Sequence, residues 1–204
     1  MNTVRAYRMT QRREGVERTR NRILEAAYDT WLERPYDQVT LDAVAAAAGV
    51  SRQTILRHFG SKDELALAVV AWQRPIEEDA RAADPGDIAT AVRRLVDRYE
   101  SMGDANVRLL ELEGRVPPVD HLLAEARASH RGWIERTFAP WVSACRGARR
   151  EELVLALYAA TDVTVWKLLR RDLDGSRARV QTIIHQLVDG LLAPVERTAE
   201  EATS

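Results

Sequence analysis

A chain of 204 residues, 46% hydrophobic and 30% charged, is long enough to bury a core, and its net charge of −1 argues for no polyanionic partner by itself. With no run of 18 apolar residues and no apolar leader in the basic N-terminus, neither a membrane span nor a secretory signal is predicted, and the expected compartment is the cytoplasm. The single cysteine, Cys145, excludes an intrachain disulfide and is expected to be a small core residue.

The charge is unevenly spread. Residues 1–62 carry 11 Lys+Arg against 7 Asp+Glu, whereas residues 63–204 carry 19 against 24. A basic front and an acidic back suggest that the front faces a polyanion. Hydrophobic residues recur with a helical period almost throughout, and no stretch alternates like a strand. The predicted fold is therefore all-α, with about nine helices. Four parts are expected: a basic arm at 1–17, a helical domain at 18–64, a second helical domain at 65–195 and a frayed tail at 196–204.

The first helix is predicted over 17–33, with Ile23, Ala26, Ala27, Thr30 and Trp31 inward and Pro35 beyond its end. A second starts after the N-cap Thr40, aided by Asp42 in its first turn, and stops at Gly49. A third, short helix follows the N-cap Ser51 and ends before Gly60. A fourth starts at the capping box Ser61–Glu64 and runs to about residue 83, with Pro75 a candidate kink. After the turn ADPGD, helices are predicted over 87–102, 104–113, 118–145, 149–172 and 176–193, with Pro140 leaving one boundary open.

Residues 40–59 thus form two short helices joined by Gly-Val-Ser. The spacing is that of a helix-turn-helix, or of a plain αα-corner with solvated polar residues. Val44 and Ala45 can meet Val50 and Ile55, leaving Arg52, Gln53, Thr54 and Arg57 outside. Those types suit a major groove: Arg pairs with guanine, Gln with adenine, and Thr with a phosphate or a thymine methyl. Lys62, at the start of the next helix, is placed to meet a phosphate. Thr40 and Ser51 join the DNA-facing candidates. His58 is either a core residue or a phosphate contact. Arg5, Arg8, Arg12 and Arg13 form either a minor-groove arm or a solvated tail.

The segment TRNRILEAAYDTWLERPYDQVTLDAVAAAAGVSRQTILRHFGSKDELAL, residues 19–67, resembles the DNA-binding domain of the TetR family of transcriptional regulators. Ile23, Ala26, Ala27, Tyr36, Val39, Thr40, Ala45, the run 48–51, Thr54, His58, Phe59, Ser61, Lys62 and Leu65 carry the resemblance. Two positions depart from the pattern. Gln53 stands where a small residue is common, and Leu56 stands where a Tyr usually offers its hydroxyl to a phosphate. Leu56 cannot make that contact, whereas Gln53 adds a side chain able to read a base.

The resemblance implies a two-fold dimer on a palindromic operator. The helices at 149–172 and 176–193 resemble the family's dimerisation pair, the alternative being that both are ordinary core helices. The first is apolar around most of its circumference, and the second adds Val180, Ile183, Ile184, Leu187, Val188 and Leu191. On one predicted face stand Tyr158, Asp162 and Trp166. The Asp162 carboxylate requires a partner in the core, an Arg across the dimer, or a ligand. On another stand Leu123, Ala126, His130, Trp133, Thr137 and Trp141. His130 is either a hydrogen-bonded core histidine or a ligand contact. Trp72, Tyr99, His130, Trp133, Phe138, Tyr158, Asp162 and Trp166 are the candidate lining of a chamber for an aromatic or lipophilic effector.

The expected function is a repressor released from DNA by a small molecule. The alternative is a constitutive or architectural DNA-binding protein. An enzyme is not expected, nor a cofactor or metal. There are no paired carboxylates at metal spacing, no nucleophile motif and no glycine-rich phosphate loop, and the four histidines, 58, 121, 130 and 185, are scattered.

Overall fold

The computed structural model describes the backbone of residues 3–203 and the side chains of residues 13–197. Among the described residues every regular element is helical: α1 (Thr3–Glu33), α2 (Leu41–Ala48), α3 (Arg52–Phe59), α4 (Lys62–Ala80), α5 (Ile88–Leu110), α6 (Pro117–Thr137), α7 (Ala139–Ala144), α8 (Gly147–Thr161), α9 (Val163–Lys167) and α10 (Arg177–Thr203). A 3-10 turn covers Tyr36–Gln38 and a π-helical turn covers Leu168–Asp172. The chain divides into two compact units, residues 1–74 and 75–204. The division falls beyond the expected 64/65 boundary because Leu65, Ala66 and Val69 are buried in the first unit.

In the N-terminal unit, Ile23, Leu24 and Ala27 of α1 pack with Val39, Val44, Ala45, Ala48, Ile55, Phe59, Leu65 and Val69. Thr40 caps α2 by accepting the Ala43 N–H at 3.1 Å. The helix ends in a Schellman motif: Gly49 is left-handed, its N–H bonds Ala46 O, and the Val50 N–H reaches back to Ala45 O at 3.0 Å. Ser51 then caps α3 by accepting the Thr54 N–H at 3.2 Å. Two adjacent caps and one glycine therefore fix the corner between α2 and α3.

The α1 helix reaches back to Thr3, past the predicted start at 17 and through the segment expected as an unstructured arm. Residues 3–14 contain neither Gly nor Pro, and Arg5, Arg8, Arg12 and Arg13 together with Ala6, Met9, Gln11 and Glu14 are good helix formers. Gly15 lies inside the helix, and its carbonyl accepts a bond from the Thr19 hydroxyl.

In the C-terminal unit, α5 packs on α10 and α9, α10 also packs on α8, and α6 packs on α8. Their core includes Leu95, Ile134, Phe138, Leu157, Trp166, Ile184 and Leu192. Four predicted boundaries move. The segments 87–102 and 104–113 are one helix, α5, because Gly103 sits where the Trp166 ring crosses; a Cβ there would lie 2.4 Å from that ring. The 118–145 helix breaks at Phe138, with Pro140 in the first turn of α7, where a missing N–H costs nothing. The 149–172 helix breaks at Asp162, which is extended and caps α9. The tail expected to fray continues α10 to Thr203, with Pro194 inside it.

Candidate nucleic-acid interface

The third helix buries Ile55 and Phe59 and presents the opposite side. Arg52, Gln53 and Arg57 are exposed, and Thr54 is half-buried. Arg52 lies 3.8 Å from Asp42, with both side chains largely in solvent, a pairing worth little and readily exchanged for another anion. The Ser51 and Thr54 hydroxyls are 3.0 Å apart at the helix start. This edge therefore gathers guanidinium, amide and hydroxyl groups on one short helix whose backbone is fixed by caps.

Other sequence candidates divide. Thr40 and Ser51 are exposed caps whose side-chain oxygens already accept backbone bonds. His58 is half-buried beside Phe59, and burial, Arg57 and Arg20 lower its pKa. Lys62 is turned toward Tyr36: its ammonium donates to Tyr36 O at 2.5 Å and lies 4.3 Å from the ring centroid. Burial pushes its pKa below the ordinary lysine value. The Tyr36 hydroxyl in turn donates to Asp63 at 2.6 Å. Arg13 is exposed on α1; the side chains of Arg5, Arg8 and Arg12 lie outside the described residues. Leu56, the departure noted above, is half-buried.

The C-terminal unit holds a separate polar cluster inside its apolar core. The His130 ring stacks on Trp133 with centroids 5.4 Å apart and meets Tyr158 edge-on at 4.8 Å. Trp133 meets Phe138 at 5.8 Å, and Tyr99 meets Trp166 at 6.0 Å. Arg81 Nη1 lies 3.3 Å from His130 Nδ1, and His130 Nε2 lies 3.0 Å from Thr161 Oγ1. An arginine can only donate, so Nδ1 accepts and Nε2 carries the proton, donating to Thr161. Thr161 passes its own proton to Leu157 O at 2.7 Å, and the Tyr99 hydroxyl donates to Thr161 O at 2.9 Å.

Seven of the eight effector candidates thus belong to the C-terminal unit: Tyr99, His130, Trp133, Phe138, Tyr158, Asp162 and Trp166. Trp72 does not; it packs in the N-terminal unit, edge-on to Tyr28 at 6.4 Å. Asp162 is not on a common helical face with Tyr158 and Trp166, because the helix ends there. Its Oδ1 accepts the Thr164 N–H at 2.9 Å and the Thr164 hydroxyl at 2.6 Å.

Residues 23–69 match the family model of bacterial regulatory proteins of the tetR family. The HTH-type transcriptional regulator AlkX of Mycobacterium tuberculosis is 39% identical over 88 residues, 43% of this chain and 33% of that protein. The chain therefore spans about a third of the length of such curated relatives. An uncharacterized HTH-type transcriptional regulator of Mycobacterium bovis, Mb1581, is 28% identical over 171 residues, 79% of this chain and 80% of that one. A tetR-family transcriptional regulator from Streptomyces coelicolor has the same fold, with a TM-score of 0.72 at 21% identity, covering 91% of this chain and 85% of that chain.

Over residues 23–69 the chain is similar to the TetR family.

The matched segment ends at residue 69, so the family model covers the helix-turn-helix and not the aromatic cluster. Three participants escaped the reading of the sequence. Arg20 holds its guanidinium 4.5 Å over the Phe59 ring, beside the end of α3. Arg81 and Thr161 complete the buried cluster. An arginine among Glu, Asp and Ala at a helix end reads as solvated, and its burial depends on residues 49 and 52 positions away.

Proposed function

We propose that this chain is a DNA-binding transcriptional regulator, a repressor that a small aromatic or lipophilic effector releases from a palindromic operator. The observation that carries the DNA-binding part is the outward edge of α3, where Arg52, Gln53, Thr54 and Arg57 stand on a helix seated by Ile55 and Phe59. Arg and Gln can each take two hydrogen bonds from a base edge, and a helix of this size fits the major groove.

A homodimer supplies the second α3. Half-sites roughly 34–36 Å apart would then be read on one face of the duplex. Support comes from apolar surface that the C-terminal unit's own core does not cover: Leu155 on α8 is 55% exposed and Leu187 on α10 is 43% exposed. Most of the apolar surface of α8 and α10, including Val154, Leu157, Val180, Ile184 and Val188, is buried in the unit's own core, so the proposed interface is narrower than the sequence suggests.

The effector part rests on the aromatic and polar residues around His130. Binding there changes DNA affinity only if the effector prefers one state of the protein over another. Full burial of Phe138 and Trp166 favours a second reading, a DNA-binding protein without an effector. No described helix is long and apolar enough to cross a membrane; the cytoplasm, where operator DNA lies, is the proposed compartment.

The test is selection of duplexes from a random pool with the full chain, followed by release assays against a metabolite panel. A palindromic consensus that Arg52→Ala and Arg57→Ala weaken is expected. Recovery of no duplex would sink the regulator reading, and a selected complex that no compound dissociates would favour the second.

A further inference from the structure

Arg81 is the one residue of the buried cluster whose charge has no counter-ion. Its side chain is 9% exposed, and among the described residues no carboxylate lies within ion-pairing distance. One of its terminal nitrogens, Nη1, points at His130 Nδ1. Its Nε is sealed from solvent and has no partner, and no described residue bonds to Nη2. A guanidinium presents Nε and Nη2 along one edge, as two parallel donors that match a carboxylate.

The surroundings make this edge costly when empty. Burial lowers the pKa of Arg81, the nearby Arg136 adds to that, and the opposing influences of Tyr99 and Glu78 come without an ion pair. The adjoining His130 is neutral. A buried cation without a partner is strongly disfavoured, and an unmet donor costs more than a bond of that kind returns. The residue is nevertheless held at both its backbone and its side chain. Arg81 O accepts the Trp133 Nε1–H at 3.0 Å, and its guanidinium carbon lies 5.8 Å from the Trp133 ring centroid.

We propose that the Nε/Nη2 edge of Arg81 receives the anionic group of a small organic acid, whose aromatic or lipophilic body lies against Trp133 and Tyr158. This rests on the effector reading above and narrows it from an apolar compound to an organic anion. Arg81 immediately follows α4, the helix that begins at Lys62 in the DNA-binding unit, so an anion bound here acts at the end of an element common to both units.

The experiment titrates the full chain with benzoate, 2-naphthoate and decanoate, each beside its neutral amide. Tryptophan fluorescence and thermal melting follow binding, and release from the selected duplex is measured in parallel. The expected result is that at least one acid binds and its amide binds about 30-fold or more weaker, the range of a charge-assisted pair. Arg81→Met removes that discrimination by weakening the acid alone, and Arg81→Lys restores part of it. The Arg81→Met melting temperature without ligand is expected to be unchanged or raised, as it removes an uncompensated charge.

Equal binding of acid and amide, unchanged acid affinity in both variants, or no acid binding to the wild-type chain each overturns the proposal. The two readings separate. A neutral compound that releases DNA equally from wild type and Arg81→Met leaves an effector and removes the anion site. An acid bound through Arg81 without any change in DNA affinity leaves the anion site and removes the effector reading.

Discussion

Burial, reinforced by the facing Arg81 guanidinium, pushes the His130 imidazole down to about 4. An exposed histidine in the unfolded chain titrates near 6.5. Between those values the unfolded state binds the extra proton, so the stability that His130 contributes is present above about 6.5 and is lost as the pH falls toward 4. The loss amounts to about 3 kcal/mol at most. Denaturant midpoints of the C-terminal unit at pH 7 and pH 4.5 are expected to differ by less in His130→Gln than in the wild type. Equal slopes would mean that the ring is already charged in the folded protein. Sequence spacing placed His130 beside Trp133 but could not decide between core and ligand, because the deciding atoms belong to Arg81 and Thr161 on other elements.

Helix starts at Thr40, Ser51 and Asp87 were legible, or nearly so, because a cap is a local device: one side-chain oxygen meets an N–H three residues on. Helix breaks were less so. Asp162 interrupts an apolar run, and its cap partner Thr164 was in plain view, but the run's hydrophobicity outweighed it. Gly103 was read as a stop, whereas its lack of a side chain serves the distant Trp166 ring. That contact gives a test. Gly103→Ala improves helix propensity by about 1 kcal/mol, but the added methyl overlaps a fully buried ring, an overpacking cost of about 1–3 kcal/mol. Net destabilisation is expected in chemical denaturation, with altered fluorescence from Trp166. A stabilised variant would refute the packing. The Glu100 carboxylate further holds this region, accepting from Trp166 Nε1 at 3.0 Å and from Arg170 Nε at 3.0 Å, the latter on the π-helical turn.

For the whole molecule, the all-α class and the N-terminal unit could be read from periodicity, caps and a 49-residue resemblance, since that unit is built from contacts local in sequence. The C-terminal unit was legible only as helices. Its core joins α5 to α10 and α6 to α8 across long stretches of chain, and no local pattern specifies which faces meet. The same separation explains why the helices of the proposed dimer looked more exposed than they are. Substituting Leu187→Glu or Leu155→Glu places a charge on the uncovered faces of α10 and α8 and spares the buried stripe. Each is expected to shift the protein to monomer in sedimentation and to weaken operator binding while the melting temperature of the unit stays within a few degrees. An unaltered oligomeric state would move the interface elsewhere.

On the proposed function, the inward turn of Lys62 toward Tyr36 also has a consequence for the counterions displaced from DNA. Each Lys or Arg that neutralises a phosphate releases about one condensed cation, so the logarithm of affinity falls with the logarithm of salt by about 0.9 per contact. With its ammonium held by Tyr36 O, Lys62 is expected to add nothing to that slope. Lys62→Met is expected to leave the slope as it is and to lower stability by loosening the Tyr36 turn. Arg57→Ala, on the exposed edge of α3, is expected to flatten it by about one contact per subunit if Arg57 meets a phosphate, and to leave it nearly constant if it reads a base. Affinities measured at several ionic strengths would therefore distinguish cations that meet DNA from those, such as Lys62, that the fold holds.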